Sequence, residues 1–165
     1  MPSQSEMSAE NAAMSAVVSL FATSYRFDVV IGGFGLGQWA KCDGLQVDYQ
    51  VSSYQTAMNP DEQNMASPRI WNYLSRPTYK SISLTRPCNA VGMALTSGWL
   101  KKMWYSPIPE YGFIVLYDAG HMPVYKWGLI GVVPDKWSGP NLDIDAGKIA
   151  TETLVLAHEG WDWTI

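Results

Sequence analysis

Residues 79–87 read YKSISLTRP, and their alternation decides the fold. Ile82 and Leu84 fall on one side of a two-residue repeat, with Ser81, Ser83 and Thr85 on the other. This spacing predicts an extended strand with an apolar face and a hydroxyl face. Pro87 lacks a backbone donor and ends the pairing. Beyond it, Asn89 is placed to cap a helix in which Val91, Leu95, Trp99 and Met103 recur every four residues, with Lys101 and Lys102 near its negative end. A half-buried strand feeding one amphipathic helix predicts a mainly β (α+β) fold with a helix packed beside its sheet.

Working outward, Phe27, Val29 and Ile31 alternate with Arg26, Asp28 and Val30 in a first strand that stops at Gly32-Gly33, a turn signal. A short return, Leu36–Ala40, leads through Cys42-Asp43-Gly44 to the cleanest alternation in the chain, Leu45, Val47, Tyr49 and Val51 against Gln46, Asp48, Gln50 and Ser52. From Gln55 to Arg76 the prolines and scattered polar residues predict a long loop. Loops beyond about 12–15 residues usually carry function, and Ile70-Trp71 and Tyr73-Leu74 imply that this one packs on something, most simply a partner subunit. After the helix, Phe113–Tyr117 and Tyr125–Pro134 form a hairpin about Asp118–His121, Asp135–Gly147 is a loop with Trp137, and a last strand runs from Ile149 to Ala157. About seven strands and one helix are expected.

The chain has 165 residues, 47% apolar and 16% charged, with eight Trp and nine Tyr. That length suits one domain and that composition excludes disorder. A net charge of −4 without a Lys/Arg cluster argues against a nucleic-acid binder. Cys42 and Cys88 match no disulfide or zinc spacing and are expected reduced and buried. Residues 1–24 read as an N-terminal extension, helical from Ala9 to Phe21, and residues 25–165 as the β domain. The extension has no basic start, and its apolar run, Ala16–Ala22, is too short for a signal peptide or a membrane anchor, so synthesis in the cytoplasm is expected.

Candidate chemistry is sparse. IGGFGLGQW resembles a phosphate-cradling loop only superficially, because no helix start follows, and a hairpin turn accounts for its glycines. His121 and the pair His158-Glu159 lie on different elements and match no zinc spacing, while Asp143 and Asp145 lack the glycine and glutamate of a calcium loop. No nucleophile elbow or Cys–His pairing is present, so no enzyme, metal or cofactor is expected. Trp39, Trp99, Trp104, Trp127 and Trp137 fall in or beside expected core elements.

The order of motifs, RFDVVIGGFGLGQWAKCDGLQVDYQV, YKSISLTRP, YKWGLIGVVPDKWSGPNLD and ATETLVLAHEG, resembles the tail-tube family of contractile phages and phage-like contractile injection systems. The likeness covers Tyr25 to Trp161. It is carried by the turn Cys42-Asp43-Gly44-Leu45 and by Thr153, Leu154, Ala157, His158, Glu159 and Gly160 of the final strand, features of tube and tube-initiator subunits. The resemblance implies a small antiparallel β-barrel or two-sheet sandwich with a flanking helix. It also implies a non-enzymatic subunit of an inner tube of stacked hexameric rings, with sheath and baseplate proteins as partners and a lumen for cargo. Subunit contacts are then expected at Asn64, Arg69, Trp71, Tyr73, Arg76 and Tyr79. The long loop departs from the family pattern, since Arg76 matches an arginine before the anchor strand while the expected glycines are missing. The rival from another class is a monomeric carbohydrate-binding β-sandwich that stacks sugars on Trp71 and Tyr73.

Overall fold

The computed structural model describes residues 22–55, 70–143 and 147–162, with backbone alone for 22–26. The helix expected from Ala9 to Phe21, the short apolar run judged against a membrane span, and Asp145 lie outside the described residues, apart from Ala22 at the end of that run. The chain divides into two compact units, one formed by 1–44 with 81–165 and one by 45–80.

The larger unit is an antiparallel ladder. Its strands are β1 (Ala22–Ile31), β2 (Phe34–Gln38), β3 (Lys41–Asp43), β8 (Ile82–Pro87), β9 (Glu110–Asp118), β10 (Pro123–Ser138), β11 (Thr151–Ala157) and β12 (Gly160–Asp162). They run in the order β2-β1-β9-β10-β11-β8-β3, with β12 on the side of β10. The path runs from β2 to β3, two strands joined by Trp39-Ala40, and of the two expected alternatives the described strands show the sheet sandwich. β10 serves both leaves, pairing β9 through Pro123–Val132 and β11 through Val133–Ser138.

β8 has the expected faces. Ile82 and Leu84 are fully buried, while Ser83 and Thr85 are half-buried on the other side, where the Thr85 and Thr153 hydroxyls lie 3.2 Å apart. The same two-residue repeat buries Val29 and Ile31 in β1, and Leu154 and Leu156 in β11. The first hairpin closes through Gly32 and Gly33 at φ of +56° and +79°, which glycine adopts without a Cβ clash, so the first glycines of IGGFGLGQW make a turn and Phe34–Gln38 returns as β2.

The one described helix, α1 (Ala90–Tyr105), is capped as expected, with the Asn89 side chain accepting from the Gly92 N–H at 2.6 Å. Its buried face differs from the sequence reading. Gly92, Thr96, Trp99 and Met103 point inward, whereas Val91 is 72% exposed and Leu95 is exposed as well. The helix is turned because Arg86 lies beneath it and requires acceptors on that side.

Three further expectations are corrected. β10 runs through Pro134 to Ser138, with a register shift there that accommodates the missing donor, so Trp137 is on a strand and not in a loop. Trp39 and Trp99 are core residues and Trp127 is half-buried, but Trp104 and Trp137 are exposed. Cys42 and Cys88 are free thiols, half-buried where burial was expected.

The described residues of the 45–80 unit form a pair of short ribbons. β4 (Val47–Asp48) pairs with β7 (Thr78–Tyr79), and β5 (Val51–Gln55) pairs with β6 (Ile70–Leu74). The clean alternation from Leu45 to Ser52 is therefore two short strands, and the expected loop contains a strand, β6.

Candidate functional site

The β5–β6 ribbon is where sequence and packing disagree most. Val51 pairs with Leu74, Ser52 with Tyr73, Tyr54 with Trp71 and Gln55 with Ile70. Alternation sorts Tyr54, Trp71 and Tyr73 onto one face and Val51, Ile70 and Leu74 onto the other. Every one of these six is between 48% and 66% exposed. A two-stranded ribbon is marginal in water by itself, and one with an aromatic face and an aliphatic face exposes apolar surface on both sides. At its base the backbone N–H of Ser75 donates to Gln50 at 2.8 Å, Lys80 Nζ donates to Gln46 Oε1 at 3.1 Å, and Gln46 Nε2 donates to Asp48 Oδ1 at 2.7 Å.

Of the six residues expected at a subunit interface, Trp71 and Tyr73 thus share one face of this ribbon. Arg76 is exposed beyond it, and Tyr79 is half-buried on β7 opposite Val47. Asn64 and Arg69 lie outside the described residues.

A second apolar surface lies at the end of α1 in the larger unit. Trp104, Tyr105 and Ile108 are 83%, 77% and 66% exposed. Beside them a concavity of about 370 Å³ is lined by Leu100, Met103, Trp104, Pro107, Val133 and Pro134, with no charged side chain among them.

Beneath the helix sits a cluster that the sequence reading missed. Arg86, on the apolar face of β8, is 1% exposed, and Glu152, its cross-strand partner on β11, is fully buried. Arg86 Nε donates to Glu152 Oε1 at 2.6 Å, Nη1 to the Leu36 carbonyl at 2.6 Å, and Nη2 to the Gly92 carbonyl and to Thr96 Oγ1. The guanidinium also lies 4.1 Å from the ring centre of Trp39, and Trp137 Nε1 donates to the other oxygen of Glu152 at 3.0 Å. A Cβ at position 92 would come within 2.7 Å of the Arg86 guanidinium carbon, so the close approach of helix to arginine requires glycine. One cation thereby ties β2, β8, β11 and α1 together. The available signal was the continuation of each alternation: 82, 84, 86 ends in an arginine and 152, 154, 156 begins with a glutamate.

Other polar side chains hold elements in register. Glu110 accepts from Trp99 Nε1 at 2.9 Å and pairs with Lys102, which also lies over the Phe34 ring at 4.9 Å. Burial raises the Glu110 carboxyl, but the bonds from Lys102 and Trp99 outweigh it and the net shift is downward. Burial, helped by Asp43, pushes the Cys42 thiol up to about 11, which disfavours the thiolate. Among the described residues no three His, Cys, Asp or Glu side chains gather into a metal-binding group. Among them, too, no helix is long and apolar enough to cross a membrane. What this surface offers is apolar area for protein contact.

Comparison with known proteins follows the same line. A chain of the extended-state sheath–tube complex of an extracellular contractile injection system, PVC, superposes with a TM-score of 0.68 at 15% identity, covering 98% of this chain and 97% of that one. A chain of the PVC sheath/tube terminator gives 0.67 at 17% identity over 85% and 94%. A chain of the six-fold symmetrised baseplate of the anti-feeding prophage gives 0.59 at 17% over 86% and 94%. At these identities the likeness establishes a shared fold. No curated protein matches the sequence. Residues 23–162 match the family of the T4-like virus tail tube protein gp19, nearly the whole length from β1 to β12, and the chain belongs to that tail tube protein family.

Proposed function

We propose that this chain is the repeating subunit of an inner tube, six copies closing a ring and the rings stacking around a lumen that is the path for cargo. The observation that carries this reading is the β5–β6 ribbon, exposed on both faces in a member of a tail tube family. Such a ribbon is stabilised when neighbouring copies cover it. The ends of the ladder add to this, since ring closure would hide the edges of β2 and β3. The subunit works mechanically and performs no chemistry. Its partners are copies of itself, a sheath around the tube and a baseplate beneath it, the company kept by the chains it superposes on.

The test is Val51→Ser with Leu74→Ser, a cross-strand pair 60% and 66% exposed. In sedimentation velocity the wild type should form large species, and the double variant should stay monomeric with an unchanged circular dichroism spectrum. Assembly of the variant at wild-type concentrations would remove the ribbon from the account. Tube and tube-initiator roles separate in the same experiment, because a repeating subunit lengthens its assemblies with concentration while an initiator stops at one ring.

A further inference from the structure

The groove at the end of α1 is lined by Met103, which is 5% exposed, and by Leu100, Pro107, Val133 and Pro134 beside the exposed Trp104. Methionine and flat apolar rings favour aromatic side chains over aliphatic ones, and about 370 Å³ falls within the range of pockets that enclose small ligands.

From this geometry we infer that the groove receives the aromatic face of the β5–β6 ribbon, Tyr54, Trp71 and Tyr73, from a second copy of the chain. Area supports the pairing. An aromatic side chain offers roughly 150–250 Å², so Trp104 and Tyr105, at 83% and 77% exposure, leave on the order of 250–400 Å² uncovered. Tyr54, Trp71 and Tyr73, at 55%, 48% and 56%, leave a similar area. One groove–ribbon contact thus buries roughly 500–800 Å² in total, up to about half of a standard interface of roughly 1,600 Å², and each copy makes two such contacts, one through its groove and one through its ribbon. Chemistry supports it too: neither β5, β6 nor the groove lining has a charged residue, so the contact desolvates no ion. A groove on one copy and a ribbon on the next make a heterologous contact, the kind that generates rings or stacks. The inference rests on the tube-subunit reading, and it names the surface that covers one side of the ribbon.

The experiment uses full-length protein with Cys42 and Cys88 replaced by serine. One chain carries Ser106→Cys beside the groove and a second, differently tagged, carries Ser52→Cys on the aromatic face of the ribbon, so every aromatic of the contact is kept; the two are mixed and treated with a short bis-maleimide. A cross-linked pair containing both tags is expected. In parallel, Trp104→Gln should raise the concentration at which assemblies appear at least tenfold, while Trp104→Phe stays within about threefold of wild type. Thermal melts of both variants should match wild type, because residue 104 is exposed. If the wild type assembles while Trp104→Gln assembles equally well and no mixed-tag product forms, the groove contact is wrong and the tube reading stands. A wild type that remains monomeric at every concentration overturns both.

Discussion

Replacing Arg86 with methionine removes a side chain of similar length and leaves Glu152 buried without its cation. Glu152 would keep a single bond, from Trp137 at 3.0 Å, while the carbonyls of Leu36 and Gly92 and the hydroxyl of Thr96 would each lose a donor. Breaking a buried pair by deleting one partner costs about 3–5 kcal/mol, and each orphaned buried carbonyl about 1–3 kcal/mol. These losses share one site and overlap instead of adding, so the expected effect of Arg86→Met is about 4–6 kcal/mol. Against a total of about 5–15 kcal/mol, that leaves a marginal or unfolded protein. Adding Glu152→Leu removes the stranded carboxylate and should restore roughly half of the loss. Urea denaturation followed by tryptophan fluorescence measures both, at a protein concentration where the chain is monomeric. A loss below about 1 kcal/mol for Arg86→Met, or a double variant as damaged as the sum of the singles, would refute the view that this pair joins helix and sheet.

The two faces of β8 should respond oppositely: Leu84→Asp buries an unpaired carboxylate at a fully buried site and should cost several kcal/mol, whereas Ser83→Asp, half-buried on the hydroxyl face, should leave the monomer melt nearly unchanged. Equal melts for the two would mean the register is wrong. Glu110 contributes stability that is present above the ordinary carboxylate value of about 4.3 and is lost as pH falls through its lowered folded value. Glu110→Gln should therefore flatten the acid limb of stability against pH by up to about 1 kcal/mol, and an unaltered limb would dismiss the Lys102 and Trp99 contacts. With its thiol pushed up to about 11, Cys42 should react with iodoacetamide at pH 8 on the order of a hundredfold more slowly in the folded protein than in urea, read by peptide mass spectrometry. Equal rates would place it outside the sheet.

What the sequence revealed follows from which physical signals are local. The faces of β8 and β1, the Gly32-Gly33 turn and the Asn89 cap are set by neighbours along the chain, and each was legible. The inward face of α1 was not, because it is dictated by Arg86, a residue on another strand that draws Thr96 and the Gly92 carbonyl toward the core and leaves Val91 in solvent. β6 escaped notice because its apolar residues occupy both faces of a ribbon, which erases the alternation that marks a half-buried strand. Pro134 read as a stop, yet a register shift carries β10 past it. At the candidate interface, Trp71 and Tyr73 were recognisable as aromatics in a polar stretch, whereas the groove at Trp104 was assigned to the core because apolar spacing along a helix does not distinguish an inner wall from an outer one.

Whether this chain builds a hollow tube is visible in negative-stain electron microscopy of the purified full-length protein over a range of concentrations. A tube subunit forms six-fold rings with a central hole, stacking end to end into tubes that lengthen with concentration. Uniform monomers at every concentration, or solid aggregates without a lumen, would contradict the tube reading.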